Sequence, residues 1–401
     1  MARFLSVVPV DEAVAAAIGL ARPVGTETVP LDEAWNRVLG ADARADTDLP
    51  GFRRSTVDGY AVRAAETVGA SDAIPSFFRL KGRVAMGAGA TFALGLGECA
   101  YVPTGGEVPG GADAVAMVEH AELLGDEVLI AKPVADGENL VLPDEDFGAG
   151  EIVVPAGRRL SPQEVGALAA VGRVDVEVRR RPVIGVVSTG NEVVPVEAVP
   201  GRSEVRDVNS YLCRAFCRER GCDTRFYGIV RDEPGALRAV LETAANECDA
   251  VLVSGGSSKD ERDLGAATIA ELGEVLVHGI ALAPGKPTIV GRVNAIPAIG
   301  LPGHPASAFV VLIVIAGPML AALAGDRTDR SRRARARLIE NVPSARGRED
   351  YVRVTVRDGE ARPLFAKSGL LNSLVRADGL LRVPAGREGY ETGDEVEVLL
   401  W

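Results

Sequence analysis

The sequence predicts a multidomain protein centred on an α/β domain with a largely parallel sheet, preceded by a β-rich region and followed by a small β domain. Three observations carry this. At roughly 150 residues per domain, a chain of 401 residues implies two or three domains. From position 183 onward, strand-like and helix-like segments alternate: Val183 to Val187, Tyr211 to Arg220, Arg225 to Ile229, Pro234 to Asn246, Ala250 to Val253. On either side of this stretch the alternation gives way to short β-type runs punctuated by Gly and Pro.

Along the chain, Val10-Asp11-Glu12 opens an amphipathic helix with Val14, Ile18 and Leu20 directed inward. Leu31, Trp35 and Val38 stand at helical spacing and predict a second helix. From about Pro50 to Glu138 the runs Phe77 to Leu80, Ala100 to Pro103, Ala114 to Val118 and Val128 to Ile130 predict a small β-rich domain with long loops. Ser161-Pro162-Gln163-Glu164 opens a further helix, with Ser at the cap and Pro in the first turn, and Val174, Val176 and Val178 then alternate. Arg179-Arg180-Arg181-Pro182 marks a boundary. In the α/β region, the helix at Pro234 takes Asp232 as its cap.

The run Ala306 to Ala324 carries no charge and is long enough to cross a bilayer. It follows a Gly-Pro loop and is interrupted by Gly317-Pro318, which predicts a helix buried between the sheet and another layer. After the polar, Arg-rich stretch Gly325 to Arg337, the runs Tyr351 to Val356 and Val396 to Leu400, with turns at Asp358-Gly359 and Gly393-Asp394, predict a small barrel or sandwich. These segments give the division 1–50 with 139–180, 51–138, 181–326 and 327–401.

Composition narrows the function classes. Apolar residues are 47% and charged residues 25%, a globular composition. With 44 basic against 56 acidic residues the net charge is −12, and no block of five like charges occurs, which argues against general nucleic-acid binding. Five Cys and no secretory signal at Met1-Ala2-Arg3-Phe4 point to free thiols in the cytoplasm. Cys213 and Cys217 share a helix face near Cys222, and the plainer reading is a thiol stripe in a core. His120, His278 and His304 are the whole histidine supply and lie in separate segments, which leaves carboxylates as the acids and bases.

In an open α/β sheet, ligands bind beyond the carboxyl ends of the strands. There, Ser188-Thr189-Gly190-Asn191-Glu192 follows one core strand and Ser254-Gly255-Gly256-Ser257-Ser258-Lys259 another, each able to present N–H and hydroxyl groups to an anion. Neither turn is a Walker A or dinucleotide fingerprint. Glu192, Asp207, Asp260, Glu261 and Asp263 accompany them, and carboxylates beside a phosphate suggest Mg²⁺-assisted chemistry on a phosphate or pyrophosphate. The loops Ala283-Pro284-Gly285-Lys286-Pro287 and Leu301-Pro302-Gly303-His304-Pro305 add a Lys among Gly and Pro and a turn into the apolar helix, whose N-terminal dipole favours an anion.

These motifs, together with Ser55-Thr56-Val57-Asp58-Gly59-Tyr60-Ala61-Val62-Arg63, Pro103-Thr104-Gly105-Gly106, Gly137-Glu138-Asn139, Asp144-Glu145-Asp146 and Asp207-Val208-Asn209-Ser210, resemble the molybdopterin molybdenumtransferase (MoeA-type) family, to which the C-terminal part of gephyrin is also similar. The resemblance covers almost the whole chain. It implies a central three-layer α/β/α molybdopterin-binding-type domain, a β-rich domain and a C-terminal barrel-like domain. It also implies a cytoplasmic homodimer that inserts molybdate, or tungstate, into adenylylated molybdopterin with Mg²⁺ and release of AMP, for other cofactor-biosynthesis and acceptor enzymes.

Carried over by motif, the resemblance assigns catalytic roles to Asp58, Glu192, Asp207, Asp263 and Lys286, with Glu192, Asp207 and Asp263 on the metal. Substrate contacts fall to Thr104, Asp146, Ser188, Gly190, Ser254, Gly255, Gly256, Lys259, Pro302 and Gly303, with Ser368 a further candidate in the tail. The sequence departs from the family at Leu142-Pro143 and Ala283, where cations are usual, and at Asp260, where Gly is common. A molybdopterin adenylyltransferase-like enzyme and a non-catalytic molybdopterin-binding scaffold or regulator are the alternative readings.

Overall fold

The computed structural model describes residues 7–255, 264–329 and 331–401. The chain forms two compact units, one of residues 1–41, 157–161 and 176–401, the other of residues 42–156 and 162–175.

The second unit holds a six-stranded sheet in the order Ala114–Met117, Gly59–Val62, Glu98–Val102, Ser76–Arg83, Glu127–Ile130, Ala121–Leu124. Alternate residues serve two small cores, Ala61, Ala100 and Val115 on one face and Tyr60, Val62, Cys99 and Ala116 on the other. Four of these strands coincide with the β-type runs of the sequence. Gly59–Val62 and Ala121–Leu124 do not; the first begins at a glycine whose Cβ would collide with the carbonyl of Ala116 on the neighbouring strand.

In the first unit, helix α1 (Val10–Leu20) buries Val10, Ala13 and Ala17. This corrects the expected inner face: Ile18 is exposed, and Val14 and Leu20 are only partly buried. The expected second helix does not form. Leu31–Glu33 makes a single 3₁₀ turn, Trp35 is 62% exposed, and Val38 and Leu39 pair with Arg159 and Val178 as isolated bridges.

The central sheet comprises β1 (Val183–Thr189), β4 (Asp223–Val230), β5 (Ala250–Ser254), β6 (Gly273–His278), β7 (Ile289–Val293) and β8 (Ile296–Leu301) in the order β4-β1-β5-β8-β7-β6. Pairing is parallel among β4, β1, β5 and β8 and antiparallel for β7 and β6. A ribbon of β2 (Val193–Val194) and β3 (Val205–Arg206) follows β1. Helices α2 (Asn209–Glu219) and α5 (Pro305–Ala324) join α1 over one face, where Ile184, Val186 and Leu252 point. Helices α3 (Pro234–Glu247) and α4 (Leu264–Leu272) cover the other, against Val187, Val251 and Val253. The result is three layers. Helix α3 has no side-chain cap; the expected cap, Asp232, instead donates its backbone N–H to Asn191 Oδ1 (3.3 Å).

Helix α5 is the apolar run, and it is a core helix: Leu312, Ile315, Met319, Leu320 and Leu323 are buried, each stabilising by about 1.5–3 kcal/mol. A π-helical stretch over Leu312–Ala316 widens it just before Pro318, whose ring and missing N–H do not suit a regular α-turn. It ends where Gly325 turns left-handed (φ 64°), with Asp326 N–H bonded to Ala321 O and Gly325 N–H to Ala322 O.

The tail forms a closed five-strand barrel from Arg332–Leu338, Glu349–Arg357, Glu360–Pro363, Gly379–Val383 and Glu395–Leu400. Val396 and Val398 point inward and Glu395 and Glu397 outward.

Candidate functional site

The chain leaves β1 toward β4 on one side and reaches β5 on the other, so the loops after β1 and β5 part at the switch of strand order. A cavity of about 1080 Å³ opens at that point. Its floor is Ser188-Thr189 from β1 and Ser254-Gly255 from β5. Gly255 has φ 95°, and a Cβ there would collide with the Thr189 carbonyl, so glycine alone allows the second turn to pass the first. Thr189 Oγ1 donates to Ser254 O (3.3 Å), fastening the two strand ends.

Asp207 leads into α2 and is 4% exposed. Its Oδ2 accepts from Ser188 Oγ (2.8 Å) and its Oδ1 from the Ser210 N–H (3.1 Å), so one carboxylate ties the helix start to the end of β1. Asn209 reaches further: its Nδ2 donates to Ser254 Oγ (2.8 Å) and Gly303 O (2.9 Å), while its buried Oδ1 has no partner among the described residues. Glu192, on the exposed turn after β1, also lines the cavity, and its carboxylate is unpaired among the described residues.

Lys286 also lines the cavity. Gly285 (φ 134°) could not hold a Cβ, which would come within 2.9 Å of Leu282 and Val311. The Lys286 carbonyl accepts the N–H groups of Ile280 and Thr288 (both 2.9 Å), and Thr288 Oγ1 donates to Gly285 O (2.6 Å). The backbone is thus fixed, while the Lys286 ammonium has no carboxylate partner among the described residues. At the start of α5, His304 Nδ1 and Ser368 Oγ share a hydrogen bond (2.8 Å), and Ala306 N–H donates to Ser368 O (3.1 Å).

Of the residues singled out in the sequence, Ser188, Glu192, Asp207, Ser254, Gly255, Lys286, Pro302, Gly303 and Ser368 line this one cavity. Gly190 (φ 134°) is beside it, on a neighbouring cavity. Gly256, Lys259, Asp260 and Asp263 lie outside the described residues. In the other unit, Asp58 Oδ1 accepts the Thr104 N–H (2.7 Å) and hydroxyl (3.1 Å), a bond across 46 residues rather than within a local turn. Asp146 is exposed in that unit, where its N–H donates to Leu49 O (3.0 Å).

Asn209 and His304 received no role from the sequence. Asn209 is the first residue of a helix that begins at a strand-end carboxylate, a position that aims an amide at the adjoining loops; the Gly-Pro frame around His304 was the corresponding signal. Among the described residues no three His, Cys, Asp or Glu side chains cluster to hold a metal ion. Cys213, Cys217 and Cys222 belong to the core under α2. Burial pushes the Cys213 and Cys222 thiols up to about 12 and raises Cys217 as well, so all three stay protonated at neutral pH.

Residues 8–172 match the MoeA N-terminal region (domain I and II), residues 185–322 a probable molybdopterin binding domain, and residues 335–401 the MoeA C-terminal region (domain IV). The chain belongs to the MoeA family. Family members include a putative molybdopterin biosynthesis protein of Methanocaldococcus jannaschii, 33% identical over 93% of this chain and 91% of its own. The molybdopterin molybdenumtransferase of Bacillus subtilis is 30% identical over 98% of this chain and 94% of its own. The crystal structure of the molybdopterin biosynthesis MoeA protein from Pyrococcus horikoshii OT3 superposes with a TM-score of 0.87 at 31% identity, covering 99% of this chain and 100% of that one.

Proposed function

We propose that this MoeA-family protein is a molybdopterin molybdenumtransferase of molybdenum cofactor biosynthesis, inserting molybdate or tungstate into adenylylated molybdopterin and releasing AMP. The observation that carries the reading is the meeting of an unpaired Lys286 ammonium, the hydroxyl-bearing strand ends Ser188-Thr189 and Ser254-Gly255 and the carboxylates Glu192 and Asp207 in one cavity at the strand-order switch. The phosphoanhydride of the substrate breaks with water as the other reactant, giving AMP and the molybdopterin phosphate. Negative charge grows on the phosphate that leaves. Lys286, held on a fixed backbone, stabilises that charge.

The donor set suits Mg²⁺. Each Asp207 oxygen accepts a single hydrogen bond and retains a lone pair, and Glu192 is unpaired; both are hard oxygen donors. Glu192 and Asp207, with Asp263, would hold the ion, which supplies charge compensation at the pyrophosphate. Ser188 and Ser210 keep Asp207 oriented whether or not the ion is bound.

The family resemblance also supports a cytoplasmic homodimer in which the Asp58–Thr104 pair of one subunit serves the cavity of the other, and transfer of the product to acceptor enzymes. The test is direct. Adenylylated molybdopterin with Mg²⁺ should release AMP only after molybdate or tungstate is added, chelation should abolish release, and Lys286→Ala should slow it at least about tenfold. Release that ignores both oxyanion and chelator means a general hydrolase; substrate binding with no release under any condition means a scaffold.

A further inference from the structure

Across the β2–β3 ribbon from the candidate site lies a second cavity of about 620 Å³, within the range that small-molecule sites occupy. Val193, Glu204 and Asp207 face both cavities, so the ribbon is a shared wall. The far side is the edge strand β4, where Tyr227 and Gly228 together oppose the single residue Val187. A bulge of this kind bends its strand locally, and Gly228 and Ile229 line the cavity there. Gly228 has φ 88° with open space where a Cβ would stand, so the backbone conformation requires glycine, not crowding.

Two features of the lining point to a ligand. The Arg214 guanidinium carbon lies 4.4 Å from the Tyr211 ring centroid and 5.0 Å from that of Phe226, and both rings are well exposed, at 48% and 38%. In a chain with 4% aromatic residues, three planar groups gathered at one opening form a stacking surface. The second feature is unneutralised charge. Arg214 donates Nε to Ser210 O (3.3 Å), but its terminal nitrogens bond nothing among the described residues, and Arg231 has no ion pair there either. Among nearby arginines, Arg225 on the same strand pairs with Glu247 (2.6 Å) and Arg238 with Glu242 (3.1 Å), whereas Arg206 on β3 bonds only the carbonyls of Val196 and Ala198 among the described residues.

We infer that this second cavity binds a nucleoside monophosphate, its heteroaromatic base against Tyr211 and Phe226 and its phosphate on Arg214 and Arg231. The carboxylates Glu197, Glu204 and Asp207 share the cavity and oppose the larger charge of a di- or triphosphate. The site is additional to the one proposed for the reaction and does not rest on that proposal.

Calorimetric titration of AMP into the full-length protein, without oxyanion or Mg²⁺, tests it. Arg231→Ala, a change on an exposed loop, should weaken AMP binding about tenfold or more, and Arg214→Met should do the same, while Lys286→Ala leaves this event unchanged. Adenosine and inorganic phosphate should each bind at least about tenfold more weakly than AMP. Two binding events, one lost with Lys286 and the other with the arginines, would also support the inference. Binding lost in Lys286→Ala and untouched by both arginine changes places the nucleotide in the other cavity and overturns it. Phosphate binding as tight as AMP, or no AMP binding at millimolar concentration, overturns it as well.

Discussion

At the scale of single residues, the site is built from groups whose hydrogen bonds are incomplete. Lys286 and Glu192 are unpaired among the described residues, and Asn209 Oδ1 is buried without a donor, a cost that a binding site recovers when a ligand supplies the missing partner. Asp58 differs, since one of its oxygens already accepts two hydrogen bonds from Thr104. Replacing it with Asn keeps an acceptor for Thr104 and removes only the charge. Asp58→Asn should therefore remain folded and lose at least about tenfold in AMP release, roughly 1.4 kcal/mol in the transition state. Steady-state kinetics beside a circular dichroism spectrum will decide; unchanged turnover would make Asp58 a structural residue holding Thr104.

At the scale of elements, the cavity exists because two strand ends approach closely and then diverge. The contact is made possible by Gly255, whose φ of 95° and proximity to the Thr189 carbonyl leave no room for a side chain. Gly255→Ala should cost at least about 1–2 kcal/mol from the left-handed conformation alone, with the collision added to it. Thermal unfolding should show a lowered midpoint; a midpoint equal to that of the parent would mean the turn has room to rearrange. Asp207 and Asn209 act at the same scale, because each joins the start of α2 to a loop from a different strand.

At the scale of the whole molecule, distant segments of the first unit are fastened by a buried ion pair. Arg159 Nε donates to Asp326 Oδ2 (2.6 Å), with the two side chains 7% and 8% exposed, and Arg159 Nη1 donates to Asn36 O (3.0 Å). Asp326→Asn removes the charge from one acceptor of the buried Arg159 guanidinium and weakens a charge-assisted hydrogen bond, which should cost about 1–3 kcal/mol. Urea titration should show the midpoint falling, and an unchanged midpoint would mean the pair contributes nothing net. In dilute solution at micromolar concentration, light scattering should give about twice the chain mass of 41.8 kDa; a monomer there would refute the proposed dimer.

Strands β1 and β5, the buried helix and the candidate site loops are legible in the sequence because each announces itself locally: an apolar run ending in Ser, Thr and Gly for β1 and β5, and an uncharged stretch behind a Gly-Pro loop for α5, whereas β6, β7 and β8 were not foreseen. What it left open depended on contacts between distant positions. The spacing of Leu31, Trp35 and Val38 fits a helix, yet Val38 bridges Arg159, and that pairing is invisible to a short window. The face of α1 was misread for a related reason. Ala13 and Ala17 are buried where α1 packs on α5, while the larger Ile18 faces outward, so packing geometry overrode hydrophobicity. The same holds for function. Periodicity could place Asp207, Asn209 and Lys286 on loops, but it could not show that the three line one cavity, because their meeting depends on the order of the strands that carry them.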